Sequence, residues 1–446
     1  MTAPIPTPPA PAASWEHFRQ LLPADSLNAL DPKAAQAAYT PFVVVWLFVY
    51  QRLHGNASLC QAVAEFTQRF PDHLLPDCKR AQEHILSTST GAYSDARTAL
   101  NETVLPTAAD RVYTTLLSTY PPSWRDRRVF AVDGSTISLA PTPPLRAAYP
   151  PASNQHGQSH WPILHLAVAH ELASGLAIRP AFGPMYGPNA VSETALARQL
   201  LAQLPADALL LGDRNFGIFA FAWAARQAQH EVVLRLTAPR FQSLRKKAQP
   251  AGAGKWKLTW RPSKHDRKAD PSLPADATLH GWLHEVVVSE KRTLWLFETV
   301  DATGAEMAAL YQQRWTVETD LRDLKSTLKL DVLTGRSVSM VEKELVAGVL
   351  AYNLTNQIRR LAAARLQLPP RRLSFAGTWS LLQAFLAGMG EWPLAEAEAR
   401  FERLLRGVGQ QKLPNRPGRS APREVIPRRR KFPERRRTTA PKPDTQ

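Results

Sequence analysis

Cysteine is almost missing from this chain of 446 residues: only Cys60 and Cys78 are present, and no CxxC pair occurs. That excludes a disulfide framework or a zinc knuckle and suits a reducing compartment. Long apolar runs are missing too. The strongly apolar stretch Phe42-Val-Val-Val-Trp-Leu-Phe-Val-Tyr50 falls well short of the ~20 residues that cross a bilayer, and reads as a buried helix. The opening Met1-Thr-Ala-Pro-Ile-Pro-Thr-Pro-Pro has neither the basic nor the apolar section of an export signal, so the expectation is a cytoplasmic protein with no membrane partner. His156, His160, His165 and His170 lack the spacing of a helical ligand pair, which disfavours a zinc site. Ser135 follows Asp133-Gly134, yet no histidine spacing supports a serine hydrolase.

Acidic residues are scarce as well. Against 55 Lys and Arg stand 38 Asp and Glu, a net charge of +17, and the pI is near 10.1. Such an excess points to a polyanionic partner, above all nucleic acid. It is also uneven: from Val408 to Gln446 there are 12 cations and three acids. This Pro-rich tail, with Pro427-Arg-Arg-Arg-Lys-Phe-Pro and Glu434-Arg-Arg-Arg, is suited to following phosphates.

What is there can be divided by pattern. Residues 1–13 are a Pro/Ala-rich leader expected to be disordered. Residues 14–122 have helical apolar spacing and end at the Pro121-Pro122 breaker, giving a helical N-terminal domain. Residues 123–237 alternate short apolar runs with helical segments, an α/β sheet with an antiparallel start. Residues 238–292 are rich in cations, Pro and Gly, and read as a β-rich insertion. Here Lys255-Trp-Lys-Leu-Thr-Trp-Arg alternates basic with aromatic or apolar residues, so Trp256 and Trp260 either touch DNA or pack. Residues 293–367 resume the core, 368–407 form a helical C-terminal region, and 408–446 are the basic tail.

One stretch carries most chemical information: Tyr311-Gln-Gln-Arg-Trp-Thr-Val-Glu318-Thr-Asp-Leu-Arg-Asp-Leu-Lys325. On a single helix, Tyr311, Arg314, Glu318 and Lys325 fall within an arc of about 60°. Leu310, Val317, Leu321, Leu324 and Leu328 form an apolar stripe beside it. A carboxylate flanked by cations is what a metal-and-phosphate site needs. Arg322 and Lys329 lie on the same arc. Asp320 and Asp323 lie about 200° and about 140° from Glu318, so helical geometry disfavours them as its rivals. Two further acids close apolar runs that read as buried strands: Asp133 in Val-Phe-Ala-Val-Asp133-Gly, and Asp213 in Leu-Leu-Leu-Gly-Asp213-Arg. Two strand-end carboxylates and one helical carboxylate can converge on divalent cations.

Tyr-x2-Arg-x3-Glu-x6-Lys, met without a gap at Tyr311, Arg314, Glu318 and Lys325, resembles the signature of DDE transposases of the insertion-sequence-four family. Asp133-Gly-Ser-Thr is similar to that family's first motif and Gly212-Asp213-Arg214-Asn-Phe to its second. Gly91-Ala-Tyr-Ser-Asp-Ala-Arg and Ser192-Glu-Thr-Ala-Leu-Ala-Arg are also similar to it, and the resemblance covers roughly residues 40–430. It implies an α/β ribonuclease-H-like core interrupted by a β-rich insertion, which in hairpin-forming members sits where composition places one here. It also implies Asp133, Asp213 and Glu318 as the catalytic, metal-binding trio. Two Mg²⁺ ions, with Mn²⁺ able to substitute, suit oxygen-only ligands: Asp133 bridges, and Asp213 and Glu318 each hold one metal.

Tyr311, Arg314, Lys325 and Arg322 are then candidates to hold DNA, or else surface ion pairs with Glu318 or Asp323. In hairpin-forming relatives a Trp on the strand matching Thr293-Leu-Trp295 stacks on a flipped base, which makes Trp295 a candidate against a plain core role. The implied partners are double-stranded DNA, as terminal inverted repeats and target, and a second copy in a synaptic dimer. The implied setting is the bacterial nucleoid. A nuclease of the same fold that cuts without joining, and an inactive transposase-derived DNA-binding protein, are the alternatives.

Overall fold

The computed structural model describes residues 21–69, 75, 78–155, 157–289, 292–388 and 394–414. The leader, the segment around Trp15 and the tail beyond Pro414 lie outside the described residues. Contacts separate a first unit, Met1–Lys412, from a second, Leu413–Gln446; the elements below belong to the first.

A nine-stranded mixed sheet organises that unit. Its strands are β1 (Val129–Ser138), β4 (Ile163–Glu171), β5 (Ala181–Pro184), β6 (Leu209–Gly212), β7 (Glu231–Arg235), β8 (Gln249–Gly252), β9 (Lys255–Trp260), β10 (Leu279–Ser289) and β11 (Arg292–Glu298), after a separate hairpin of β2 (Ser153–Asn154) and β3 (Gly157–Gln158). The order across the sheet is β5-β4-β1-β6-β7-β11-β10-β9-β8. Only β1–β6 and β6–β7 run parallel; every other pairing is antiparallel. β1 continues unbroken through Asp133, Gly134 and Ser135, which keep their pairing with β4. Residues 238–292 supply β8, β9 and β10, which extend the same sheet through β11 rather than starting another.

Strand side chains alternate between faces, so each strand feeds two cores. Val129, Ala131, Leu209, Leu211, Val233, Leu294 and Leu296 pack on one face with Met307, Leu310, Tyr311 and Val317. Phe130, Val132, Leu210, Leu234 and Phe297 face the other core, which includes Leu196, Leu200, Phe219 and Phe221. The helices that matter for the site are α1 (Glu193–Leu200), α2 (Gly304–Gln312), α3 (Thr316–Arg322) and α4 (Val338–Arg365).

α4 is the spine of the helical part. Every residue from Lys343 to Ala363 is buried, because the helices Pro41–Leu53, Val104–Ser118, Phe375–Gly388 and Leu394–Gln410 pack around it. Some of its buried polar residues are held by distant backbone. Asn353 exchanges two hydrogen bonds with Ala177, and Lys343 donates to the Arg97 and Thr98 carbonyls. The last helix runs to Gln410, past Gly407 where the tail was expected to open. Among the described residues, no helix is long and apolar enough to cross a membrane.

Candidate active site

The register of the parallel pair β1–β6 sets the site. Val129 is level with Leu209 and Ala131 with Leu211; two residues further along stand Asp133 and Asp213. By strand alternation Asp133 belongs to the face that carries Tyr311 and Val317, and the Asp213 charge is close enough to act on both Asp133 and Tyr311. β6 ends at Gly212, so Asp213 sits in the following turn, where its Oδ1 accepts from the Asn215 amide at 2.7 Å. Asp133 Oδ1 accepts from the Gly134 amide at 3.0 Å.

The third acid arrives on an interrupted helix. The spacing predicts one continuous helix from Tyr311 to Lys325. Instead α2 ends at Gln312, a 3₁₀ turn covers Gln313–Trp315, α3 follows, and a π turn spans Asp323–Thr327. A 3₁₀ turn overwinds the chain and a π turn underwinds it, so the two partly cancel and the side chains keep a common direction. Val317 anchors α3 to the sheet face. Tyr311 donates to the Gly212 carbonyl at 3.4 Å, just before Asp213. Arg314 donates through Nη2 to Glu318 Oε1 at 3.1 Å, while its Nη1 lies 4.0 Å from Asp133 Oδ2. Lys325 reaches β1, donating to Ser135 Oγ at 2.7 Å and the Thr136 carbonyl at 2.8 Å.

The electrostatics are those of carboxylates short of counter-charge. Burial pushes the Asp133 carboxyl up to about 6. The Gly134 amide and Arg314 oppose that rise, and the nearby Glu193 and Asp213 charges add to it. Burial also pushes the Tyr311 phenol up to about 12, keeping it a neutral donor, and draws the Lys325 ammonium down from its ordinary value.

Among the described residues, no three His, Cys, Asp or Glu side chains are grouped closely enough to hold a metal ion. In this arrangement the Arg314 guanidinium lies between Asp133 and Glu318, and its Nε is buried without a hydrogen-bond partner. A positive group in that gap, an oxygen-only donor set and an under-neutralised buried carboxylate all fit a hard divalent cation there.

Not every candidate comes to this point. The Arg322 side chain is 66% exposed and meets only the neighbouring Asp323, at 3.7 Å. Trp295 alternates with Leu294 and Leu296, so it points to the opposite face, half-buried against Phe241. Trp260 is buried edge-on to Phe219 and Phe297, and Trp256 packs on Phe241 under Arg245, which favours packing for both. Asp320 and Asp323 are buried on the far side of α3, as helical spacing predicts, with Asp320 gripped by both Arg371 Nη atoms at 2.7 Å. One residue that sequence reasoning missed is Glu193, whose carboxylate lies against Gly134 and accepts from the Asn215 side chain. The stretch Ser192–Arg198 stood out, but nothing local marks Glu193 as facing Asp133, since that juxtaposition is made by the sheet.

A family model described as the transposase DDE domain matches residues 124–354, the stretch that holds all three acids. The transposase InsG for insertion sequence element IS4 of Escherichia coli (strain K12) is 29% identical over 334 residues, which are 72% of this chain and 71% of that protein.

Proposed function

Since the chain belongs to the transposase DDE domain family, DNA-cleaving and DNA-transposing enzymes that generally use divalent metal ions, we propose that it is a cut-and-paste transposase of the insertion-sequence-four kind, with Asp133, Asp213 and Glu318 as its metal-binding trio. The observation that carries this reading is the β1–β6 register, in which Asp133 and Asp213 each follow the level pair Ala131 and Leu211 by two residues, with Arg314 spanning Asp133 and Glu318. The strand order of the first five core strands, third-second-first-fourth-fifth with only the last two joined parallel to the first, supports a ribonuclease-H-like core.

Two bound Mg²⁺ ions, or Mn²⁺ in their place, would activate the attacking oxygen and neutralise the phosphate and leaving oxygen. The protein supplies the rest. Asp133, Asp213 and Glu318 would hold the metals, with Asp133 the candidate shared by both. Arg314, which spans Asp133 and Glu318, would be free to bind a DNA phosphate once metal neutralised those carboxylates, and Lys325 and the neutral Tyr311 hydroxyl would hold the backbone near the cleaved end. Water cuts first; the freed 3′-hydroxyl then attacks a second phosphodiester, so no covalent enzyme intermediate forms. End release through a hairpin, a synaptic homodimer and cleavage partly in trans follow from the family resemblance.

The test is nicking and strand transfer on DNA carrying the element's ends, with Mg²⁺ or Mn²⁺. Wild type nicks and then joins pre-cut ends to target DNA. Nicking without joining points to a nuclease, and equal nicking by wild type and Glu318→Gln removes the trio.

A further inference from the structure

We propose that Glu193 is a positioning residue that clamps the two aspartate-bearing turns together, fixing the separation at which Asp133 and Asp213 receive metal. This rests on the metal-binding trio proposed above.

The Ser192 side chain caps α1, accepting from the Ala195 amide at 3.2 Å, which fixes the direction in which Glu193 leaves the first turn. The Glu193 side chain then lies flat across the backbone of Gly134. A methyl group built on Gly134 would fall 2.3 Å from Glu193 Oε1 and 2.6 Å from its Cγ and Cδ. Only glycine leaves that space open. The other oxygen, Oε2, accepts from Asn215 Nδ2.

Glu193 therefore touches one residue beside each aspartate. Those two residues are the ones whose backbone amides hold the aspartates: Gly134 N–H binds Asp133 Oδ1, and Asn215 N–H binds Asp213 Oδ1. One side chain thus sets the relative position of two otherwise separate carboxylate turns. Placing a third negative charge beside a buried carboxylate is unfavourable by itself, and becomes favourable only when cations enter. Groups that orient metal ligands in this way change metal affinity about 10–100-fold when removed.

The test is Mn²⁺ binding to the full chain without DNA, read by the electron paramagnetic resonance of free Mn²⁺, alongside nicking as a function of Mg²⁺ concentration. Asn215 is exposed, so Asn215→Ala is expected to fold as wild type and guards against a folding defect in Glu193→Ala; thermal melts of the metal-free proteins monitor this. Both variants are expected to weaken Mn²⁺ binding about 10-fold or more, with nicking largely regained at high metal. Glu193→Gln still accepts from Asn215 and shifts affinity less than Glu193→Ala. Unchanged Mn²⁺ affinity in Asn215→Ala, or equal losses in Glu193→Gln and Glu193→Ala with none in Asn215→Ala, overturns the clamp. Asp133→Asn separates the two ideas: if it binds Mn²⁺ as wild type does, the trio itself is wrong, whatever Glu193 does.

Discussion

Glu318 and Asp320 are two residues apart on the same short helix, yet their surroundings are opposites. Asp320 is 1% exposed and held by both Nη atoms of Arg371. Burial alone would raise its carboxyl, but the Arg371 charge and hydrogen bonds outweigh that and hold it below the usual carboxylate range. Glu318 is 46% exposed on its side chain and shares Arg314 with Asp133. On the buried side Asp320 found its partner when the chain folded. On the sheet-end side, the half-buried Asp133 lies 4.0 Å from a guanidinium that leans towards another acid, and its carboxyl is pushed up to about 6. An acid whose neutralisation is complete is part of the scaffold. One left incomplete is poised for a ligand that brings positive charge.

The largest effect that would break this contrast is catalytic. Glu318→Gln keeps the shape and the hydrogen bond to Arg314 but removes a metal ligand; nicking is expected to fall at least about 1,000-fold, with the metal-free melting temperature within a few degrees of wild type. Retained nicking would place Glu318 with the scaffold. Next comes Arg371→Ala, which leaves Asp320 buried without its counter-charge. Stripping one partner from a buried pair costs about 3–5 kcal/mol, read by urea unfolding, and replacing both with apolar residues of similar size should recover most of it. A loss below about 1 kcal/mol would mean that Asp320 is no more committed than Glu318.

The same contrast explains what could be read from the sequence. Asp133, Asp213 and Glu318 were legible because each closes an apolar run or lies on a marked helical arc, and because Asp320 and Asp323 fall on the wrong side of that arc. The interruption of the helix at Gln313–Trp315 and Asp323–Thr327 was not legible, since it contains neither Pro nor Gly. It is imposed by Tyr311 and Lys325 reaching β6 and β1 from one chain. Glu193 was not legible either, because its meaning comes from Gly134 and Asn215, 59 and 22 residues away. Trp295 looked like a site residue from its place before Glu318, but strand alternation, which sequence also records, turns it to the opposite face from Leu294 and Leu296.

A smaller effect concerns stability. Asp133 has a folded value near 6 against 3.8 for the free group, so the folded protein disfavours its ionised form. The penalty is absent below pH 4, grows between about 4 and 6, and is complete above. In metal-free protein at pH 7.5, Asp133→Asn is therefore expected to be more stable than wild type by about 1–3 kcal/mol, with the gain vanishing near pH 4. Mn²⁺ should reverse the order, since it stabilises only the protein that binds it. A variant no more stable than wild type at pH 7.5 would mean that Asp133 is as well neutralised as Asp320.

The smallest effect tests the rim. Arg322 belongs by sequence to the DNA-facing arc, but the structure leaves it exposed beside Asp323. Arg322 is mostly exposed, and the buried Asp323 beside it is also neutralised by Arg359, so Arg322→Gln should cost no more than about 1 kcal/mol in urea unfolding. Its role has to be looked for in DNA binding. If Arg322 meets a phosphate in the complex, removing it lowers affinity for all sequences alike and reduces the slope of log affinity against log salt by about one. The basic tail offers the internal standard, because deleting residues 413–446, beyond the last helix, removes 11 cations and should flatten the slope far more. A tail deletion that flattens the slope while Arg322→Gln leaves it untouched would assign the electrostatic grip to the tail and the acid-bearing helix to chemistry alone. Equal proportional effects per cation would mean that the DNA runs continuously over both.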